Sequence, residues 1–382
     1  MDNSLKKIIS EGLSGLSKAI RSNKDTESAL GIDIGSSAIK IVQLKKKEGK
    51  AVLETYGAIS LGPYANTELG QVTNLQADVL SQALVDVMKE SNVTIKRGAM
   101  AIPSSASLIF NLSLPSKISE NQLPQVVPIE ARKYIPVPIS EVTLDWTVIP
   151  KEPESYNDNL KEDASLANKE DKIEVLVVAI HNETLSRYQD VLTKTQIESD
   201  SFEMEIFGNI RSSFSHDIAP VLLMDFGASK TKLSIVEAGV VRVFHVVNRG
   251  SNDISKNISQ AMSLPFPEAE KLKRMVGLDR ASNQQVADIV QLSVDYIFSD
   301  TNSVVFAYEK KYNKTISKVI LTGGGSLLNG LLEKAKTNFN AEVIYADPFS
   351  KTEAPAFLQP ILKTSGPEFS VALGLALRQL LS

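Results

Sequence analysis

Asp33, Gly35, Ser36 and Ser37 stand in the order Asp-x-Gly-Ser-Ser, and Asp225, Gly227, Ala228 and Ser229 repeat it as Asp-x-Gly-Ala-Ser. Small residues behind a glycine expose backbone N–H groups that phosphate oxygens can approach. An aspartate at the strand end can hold a hydrated cation beside them. A third loop, Gly323-Gly324-Gly325-Ser326, follows a strand and is of the kind that brings bare backbone and a helix N-terminus against a ligand. None of the three is a Gly-x-x-x-x-Gly-Lys-Ser/Thr loop or a Gly-x-Gly-x-x-Gly fingerprint. His181, His216 and His245 are scattered without metal-ligand spacing, and no Ser-His-Asp arrangement stands out. The chemistry these residues suggest is the grip of a phosphate ester and its cation from two sides.

Two glycine tips must be carried by two similar frames. Leu30–Val42 and Leu223–Ile235 each read as a buried strand, a tight Gly/Ser turn and a second strand, which is a β-hairpin. Around the first, the pattern predicts further strands, a helix near Leu80–Glu90 and a strand over Gly98–Ile102. A Pro-punctuated stretch follows, with a strand at Leu108–Leu114, a helix near Ser119–Tyr134 and a strand over 141–149 that holds Trp146. Residues 151–172 are charged and aperiodic and read as a solvated loop. Glu174–Ile180 reads as a strand, Thr184–Lys194 as a helix and Ser199–Phe207 as a connector. Around the second hairpin, helices dominate Asp253–Tyr312. Strand Lys318–Thr322 enters the third glycine loop, a helix is predicted over Leu327–Asn338, strand Glu342–Tyr345 follows, and a helix over Ser370–Leu380 closes the pattern.

The 382 residues suit two domains or two halves with insertions. A net charge of -4 argues against a general nucleic-acid binder, and the absence of cysteine excludes disulfides. No apolar run reaches the length of a transmembrane helix, and Met1 to Lys24 has no signal-peptide core. A soluble, cytoplasmic protein is therefore expected. Leu5, Ile8, Ile9, Leu13, Leu16 and Ile20 recur at helical spacing among lysines and Arg21. Residues 1–28 thus read as a basic amphipathic segment for a membrane surface, a partner or the protein's own body.

The ordered set of three loops resembles the superfamily of actin, heat-shock chaperones and sugar kinases. Within it the chain resembles the type IV pilus assembly PilM family, a relative of the FtsA family of cell-division proteins. The resemblance rests on Gly31–Lys40, on Glu130-Ala131-Arg132-Lys133-Tyr134-Ile135-Pro136-Val137-Pro138, on Ala269–Arg274, on Leu321–Ser326 and on Ser370–Leu377. It implies an α/β fold of actin-like, ribonuclease H-like type, duplicated into two domains around a nucleotide cleft, with a small α+β subdomain inserted in the first half. The implied division is 29–102 for the first domain, completed by about 196–220 and 366–382. The insertion then covers 103–195, and the second domain 221–365 with a helical subdomain over about 253–314.

The resemblance further implies ATP as ligand, held by Asp33, Gly35, Ser36, Ser37 and Lys40 on one side and Asp225, Gly227, Ala228, Ser229 and Gly250 on the other. Asp33 and Asp225 would reach Mg²⁺ through water, Gly323, Gly324, Gly325 and Ser326 would cradle adenosine, and Lys271 and Arg274 would lie near base or ribose. Glu130 is the one catalytic candidate, against a bland role as a helix-surface charge, so at most slow hydrolysis is expected. The implied partner is the N-terminal peptide of a PilN-like membrane protein, bound beside the insertion, with the protein held at the inner membrane through such partners. A membrane-tethered FtsA-like filament and a small-molecule kinase are the competing readings.

Overall fold

In a computed structural model the described residues are 28–150, 172–199, 202–215 and 217–381. The expected amphipathic segment and the charged loop fall outside them, apart from Ser28 and Lys172, which already belong to strands. The chain divides into two compact units, a smaller one within 104–185 and a larger one of 28–103 with 186–381.

The larger unit begins with β1 (Ser28–Ile34), β2 (Ala38–Lys47) and β3 (Lys50–Ser60), an antiparallel run whose first turn is Gly35-Ser36-Ser37. Helix α1 (Ala77–Glu90) leads to β4 (Gly98–Ile102), which lies parallel to β1. β1 is buried along almost its whole length, the pattern of a central strand covered on both faces. The smaller unit then supplies β5 (Ser107–Pro115), α2 (Leu123–Ala131), β6 (Val142–Val148) and β7 (Lys172–His181). Its antiparallel sheet runs β5-β7-β6, and Leu123, Val127 and Ala131 of α2 seal one face of it.

After α3 (Asn182–Thr195), the stretch expected to be a connector forms β8 (Phe202–Met204) and α4 (Glu205–Ser213) instead. β8 completes a sheet of order β3-β2-β1-β4-β8. Glu203 occupies that strand because Arg211 grips its carboxylate with two bonds of 2.6 and 2.8 Å, which offsets the cost of burying the charge.

The same design then repeats. β9 (Val221–Phe226), β10 (Thr231–Glu237) and β11 (Val240–Val247) run antiparallel. Helices α5 (Ser251–Met262), α6 (Phe266–Val276) and α7 (Gln284–Tyr312) follow, then β12 (Lys318–Thr322), α8 (Leu331–Asn338) and β13 (Glu342–Tyr345). The second sheet has the order β11-β10-β9-β12-β13, with parallel pairing at the same two places as in the first. This is a duplicated, actin-like α/β fold with an inserted α+β unit.

The last helix, α9 (Gln359–Leu381), returns to the first sheet and starts well before the expected Ser370. It approaches so closely that a Cβ on Gly31 would overlap the Ala372 carbonyl. Pro367 sits inside it, and its carbonyl accepts the Gly323 N–H at 2.8 Å, which fixes the third glycine loop to the first half.

Candidate functional site

The two hairpins are equivalent in register. Asp33 pairs across its hairpin with Lys40, and Asp225 pairs with Lys232. In each tip the glycine N–H closes the turn, Gly35 onto the Ala38 carbonyl at 3.0 Å and Gly227 onto the Lys230 carbonyl at 3.1 Å. In each tip the carbonyls are also occupied. Ser36 and Ser37 accept from the N–H groups of Thr73 (2.8 Å) and Leu61 (2.9 Å), and Gly227 and Ala228 accept from Ser251 (3.0 Å) and Asn252 (2.9 Å). Among the described residues nothing accepts from the N–H groups of Ser36, Ser37, Ala228 or Ser229. A tip with satisfied carbonyls and unspent donors is an anion cradle.

Between the strands below these tips lies a cluster of charge. Lys232 donates to Glu205 Oε2 at 2.8 Å and to Asp225 Oδ2 at 3.1 Å. Glu205, Asn209, Asp225 and Lys232 line one small cavity. Burial alone would lower the Lys232 pKa, but Asp225, Glu205 and Asp33 outweigh it and hold the ammonium well above its ordinary range. Asp33 behaves differently. Burial pushes its carboxyl up to about 6, with Glu205 and Asp225 adding to the shift and Lys40 and Lys232 opposing it. Asn209 of α4 ties this floor to the second sheet by donating to Thr322 Oγ1 at 2.9 Å.

Glu205 and Lys232 are the residues that sequence reading missed. Lys232 had a usable signal, because it stands at the same distance after Asp225 as Lys40 after Asp33. Glu205 had none of that kind, since the helix it opens was read as connector. As a carboxylate at the first position of α4, held by Lys232, it is placed to orient a water. Glu130 instead belongs to the smaller unit, where Lys133 pairs with it at 2.7 Å, the arrangement of a helix-surface charge.

The third glycine loop, where adenosine is expected, is present but built otherwise. Gly323 to Ser326 pass into a short 3-10 turn, and α8 begins only at Leu331, so no helix N-terminus meets the loop. Gly323 has φ of 80°, and a Cβ there would overlap Asp225 Oδ1, so this glycine is required by the second hairpin itself. Gly250 serves likewise, letting α5 dock on the Ala228 carbonyl.

Helix α6 presents other residues than expected. Lys271 is exposed, whereas Glu270 and Lys273 are buried and joined at 2.6 Å. Arg274 donates to Glu270 Oε1 at 2.7 Å, and the Ser255 hydroxyl donates to Glu270 Oε2 at 2.5 Å. Burial would raise the Glu270 pKa, but the Lys273 charge and these bonds hold it below the ordinary range.

Among the described residues no group of three or more His, Asp or Glu converges tightly enough to hold a metal alone. Mg²⁺ usually retains several waters and takes only one or two carboxylates with phosphate oxygens, which suits Asp33 and Asp225. None of the described helices is long and apolar enough to cross a membrane.

Comparisons with known proteins extend this picture. The model of the family described as type IV pilus assembly protein PilM matches residues 31–380. The cell division protein FtsA of Neisseria meningitidis serogroup B is 21% identical over 380 residues, covering 90% of this chain and 88% of that protein. The solved PilM-PilN type IV pilus biogenesis complex superposes with a TM-score of 0.77 at 22% identity, over 94% of this chain and 99% of the matched one. Ethanolamine utilization protein EutJ from Carboxydothermus hydrogenoformans gives a TM-score of 0.53 at 14% identity, over 98% and 99% of the two chains. At such identities the two structures speak to the fold.

Proposed function

The chain belongs to the type IV pilus assembly protein PilM family, and from that premise we propose that it is an ATP-binding scaffold of a type IV pilus or related secretion machine. The observation that carries the nucleotide reading is the pair of register-matched hairpins, each with unspent N–H groups, flanking one buried lysine. Phosphate oxygens would take the N–H groups of Ser36, Ser37, Ala228 and Ser229. Mg²⁺ would sit by Asp33 and Asp225 through water and supply charge neutralisation at the phosphates. Glu270, Lys273 and Arg274 would face the ribose side, with Gly324 the residue of the third loop that leaves most space. A ligand that bridges both tips binds a closed arrangement better than an open one, so ATP acts by shifting that population. Glu205 would orient a hydrolytic water, and turnover is expected to be slow.

The partner is proposed by analogy with the solved complex, in which the PilM protein is seen with PilN. A PilN-like N-terminal peptide would join this chain to the inner membrane and so to the rest of the machine. Calorimetry with ATP and Mg²⁺ tests the first half of this reading: Asp225→Ala should weaken binding at least tenfold, and unchanged affinity would overturn the site. A pull-down on an immobilised PilN-like N-terminal peptide tests the second. ATP-dependent pelleting without peptide retention would favour an FtsA-like filament, the reading that the 21% identical relative keeps open.

A further inference from the structure

We propose that the loop over residues 61–76 is a clasp that closes over the nucleotide and sets how fast it leaves, an inference that rests on the nucleotide reading above. Both ends of this loop are fastened to the first phosphate tip. The Leu61 N–H donates to the Ser37 carbonyl at 2.9 Å and the Thr73 N–H to the Ser36 carbonyl at 2.8 Å. The loop holds its own shape, with the Gly62 carbonyl accepting from Ala65 and Thr67, both at 2.9 Å. The Tyr64 hydroxyl anchors it further by donating to Asp86 of α1 at 2.7 Å. A compact loop with tied ends moves as a body rather than as a string.

Its far side reaches the second half at two points. The Val72 N–H donates to Asn252 Oδ1 at 3.3 Å, and Asn252 is the residue whose own N–H holds the Ala228 carbonyl of the second tip. Gly70 rests directly on Glu270, where a Cβ would stand 2.9 Å from the Glu270 carboxyl carbon. The carboxylate cannot swing aside without losing its bonds to Ser255, Lys273 and Arg274. Gly70 also has φ of 84°, so a side chain there is both crowded and strained.

One short segment thus touches the first phosphate tip, the residue that holds the second, and the ribose-side carboxylate. Among the described residues its cross-cleft grip is one long hydrogen bond and one glycine contact, weak enough to open and specific enough to reclose. An anion seated on the Ser37 N–H pulls on the peptide unit whose carbonyl, that of Ser36, holds Thr73, so occupancy at the tip is transmitted to Gly70 and Val72.

The test is the release rate of a fluorescent ATP analogue, chased with excess ATP, from the full chain and from Asn252→Ala and Gly70→Ala. Loss of one hydrogen bond predicts release about fivefold faster for Asn252→Ala, with at least as large a change for Gly70→Ala. A second measurement uses the cysteine-free background: Leu69→Cys with Lys271→Cys, both exposed positions beside the Gly70–Glu270 contact, should cross-link faster through a short bis-maleimide when ATP and Mg²⁺ are present. Unchanged release in both variants, or cross-linking indifferent to nucleotide, overturns the clasp while the nucleotide site stands. No binding of the analogue by the unaltered chain overturns the site and the clasp with it.

Discussion

The two hairpins share strand order, tip chemistry and an aspartate–lysine pair in the same register, yet their charges are settled differently. In the second, Lys232 bonds both Asp225 and Glu205. In the first, Asp33 makes no ion pair among the described residues and is pushed up to about 6, chiefly by burial. Duplication therefore supplied two copies of a cradle, and α4 made them unequal by delivering Glu205 to the lysine of one copy. The second hairpin is a fixed electrostatic anchor. The first carries a buried carboxyl whose charge Lys40 and Lys232 offset only in part.

The largest effect that would break this contrast is at Lys232. Lys232→Met leaves Asp225 and Glu205 facing each other with Asp33 nearby, and removal of one partner from a buried pair typically costs about 3–5 kcal/mol. Urea unfolding of the full chain should show a loss of that order. A loss near that of an exposed pair would mean that the anchor is solvated and the two hairpins alike.

Next comes Asp33, where the sign should reverse. A carboxyl raised in the folded state binds protons there that the unfolded chain gives up, so its cost to stability grows from about pH 4 to about pH 6 and is level above. Asp33→Asn should therefore stabilise the nucleotide-free protein above pH 6 by up to about 3 kcal/mol, the energy equivalent of the shift. The gain should fade toward pH 4. Asp145, buried in the smaller unit and raised to about 7, adds a change of the same sign in the unaltered protein. The difference between Asp33→Asn and the unaltered chain isolates Asp33. Asp225→Asn should destabilise instead, and equal signs at the two positions would erase the asymmetry. The affinity for ATP with Mg²⁺ should also fall below pH 6, as Asp33 takes up its proton.

How much of this was legible follows from what each segment buries. Strands Gly98–Ile102, Lys318–Thr322 and Glu342–Tyr345 were read with the bounds they have, because short apolar runs between breakers have few other uses. β8 was not, because three residues carry no period and Glu203 looks solvated until Arg211 is seen beside it. The early start of α9 was hidden by Gly366 and Pro367, which ordinarily punctuate a helix. Here α9 continues through them, and the Pro367 carbonyl is engaged by the Gly323 N–H. The third loop was placed correctly in sequence and given the wrong continuation, since a 3-10 turn and a helix open alike. The asymmetry of the hairpins was invisible, because it depends on a residue from a distant helix.

The smallest predicted effect separates two neighbours on α6. The run Glu268–Arg274 is charged, and its phase is set by Ala269, Lys273 and Val276, which recur at helical spacing and are all buried. Lys273 is on that inward face with its ammonium on Glu270 and on the Ser251 carbonyl at 3.1 Å, the residue that caps the second hairpin's tip. Lys273→Ala should weaken nucleotide binding by about tenfold, the effect of one lost charged hydrogen bond. Lys271→Ala, on the solvent face, should change it less than twofold. An equal response by calorimetry would mean that the ribose side reads the charge of the helix as a whole. The second half would then act on its ligand through a diffuse field where its hairpin acts through a fixed ion pair.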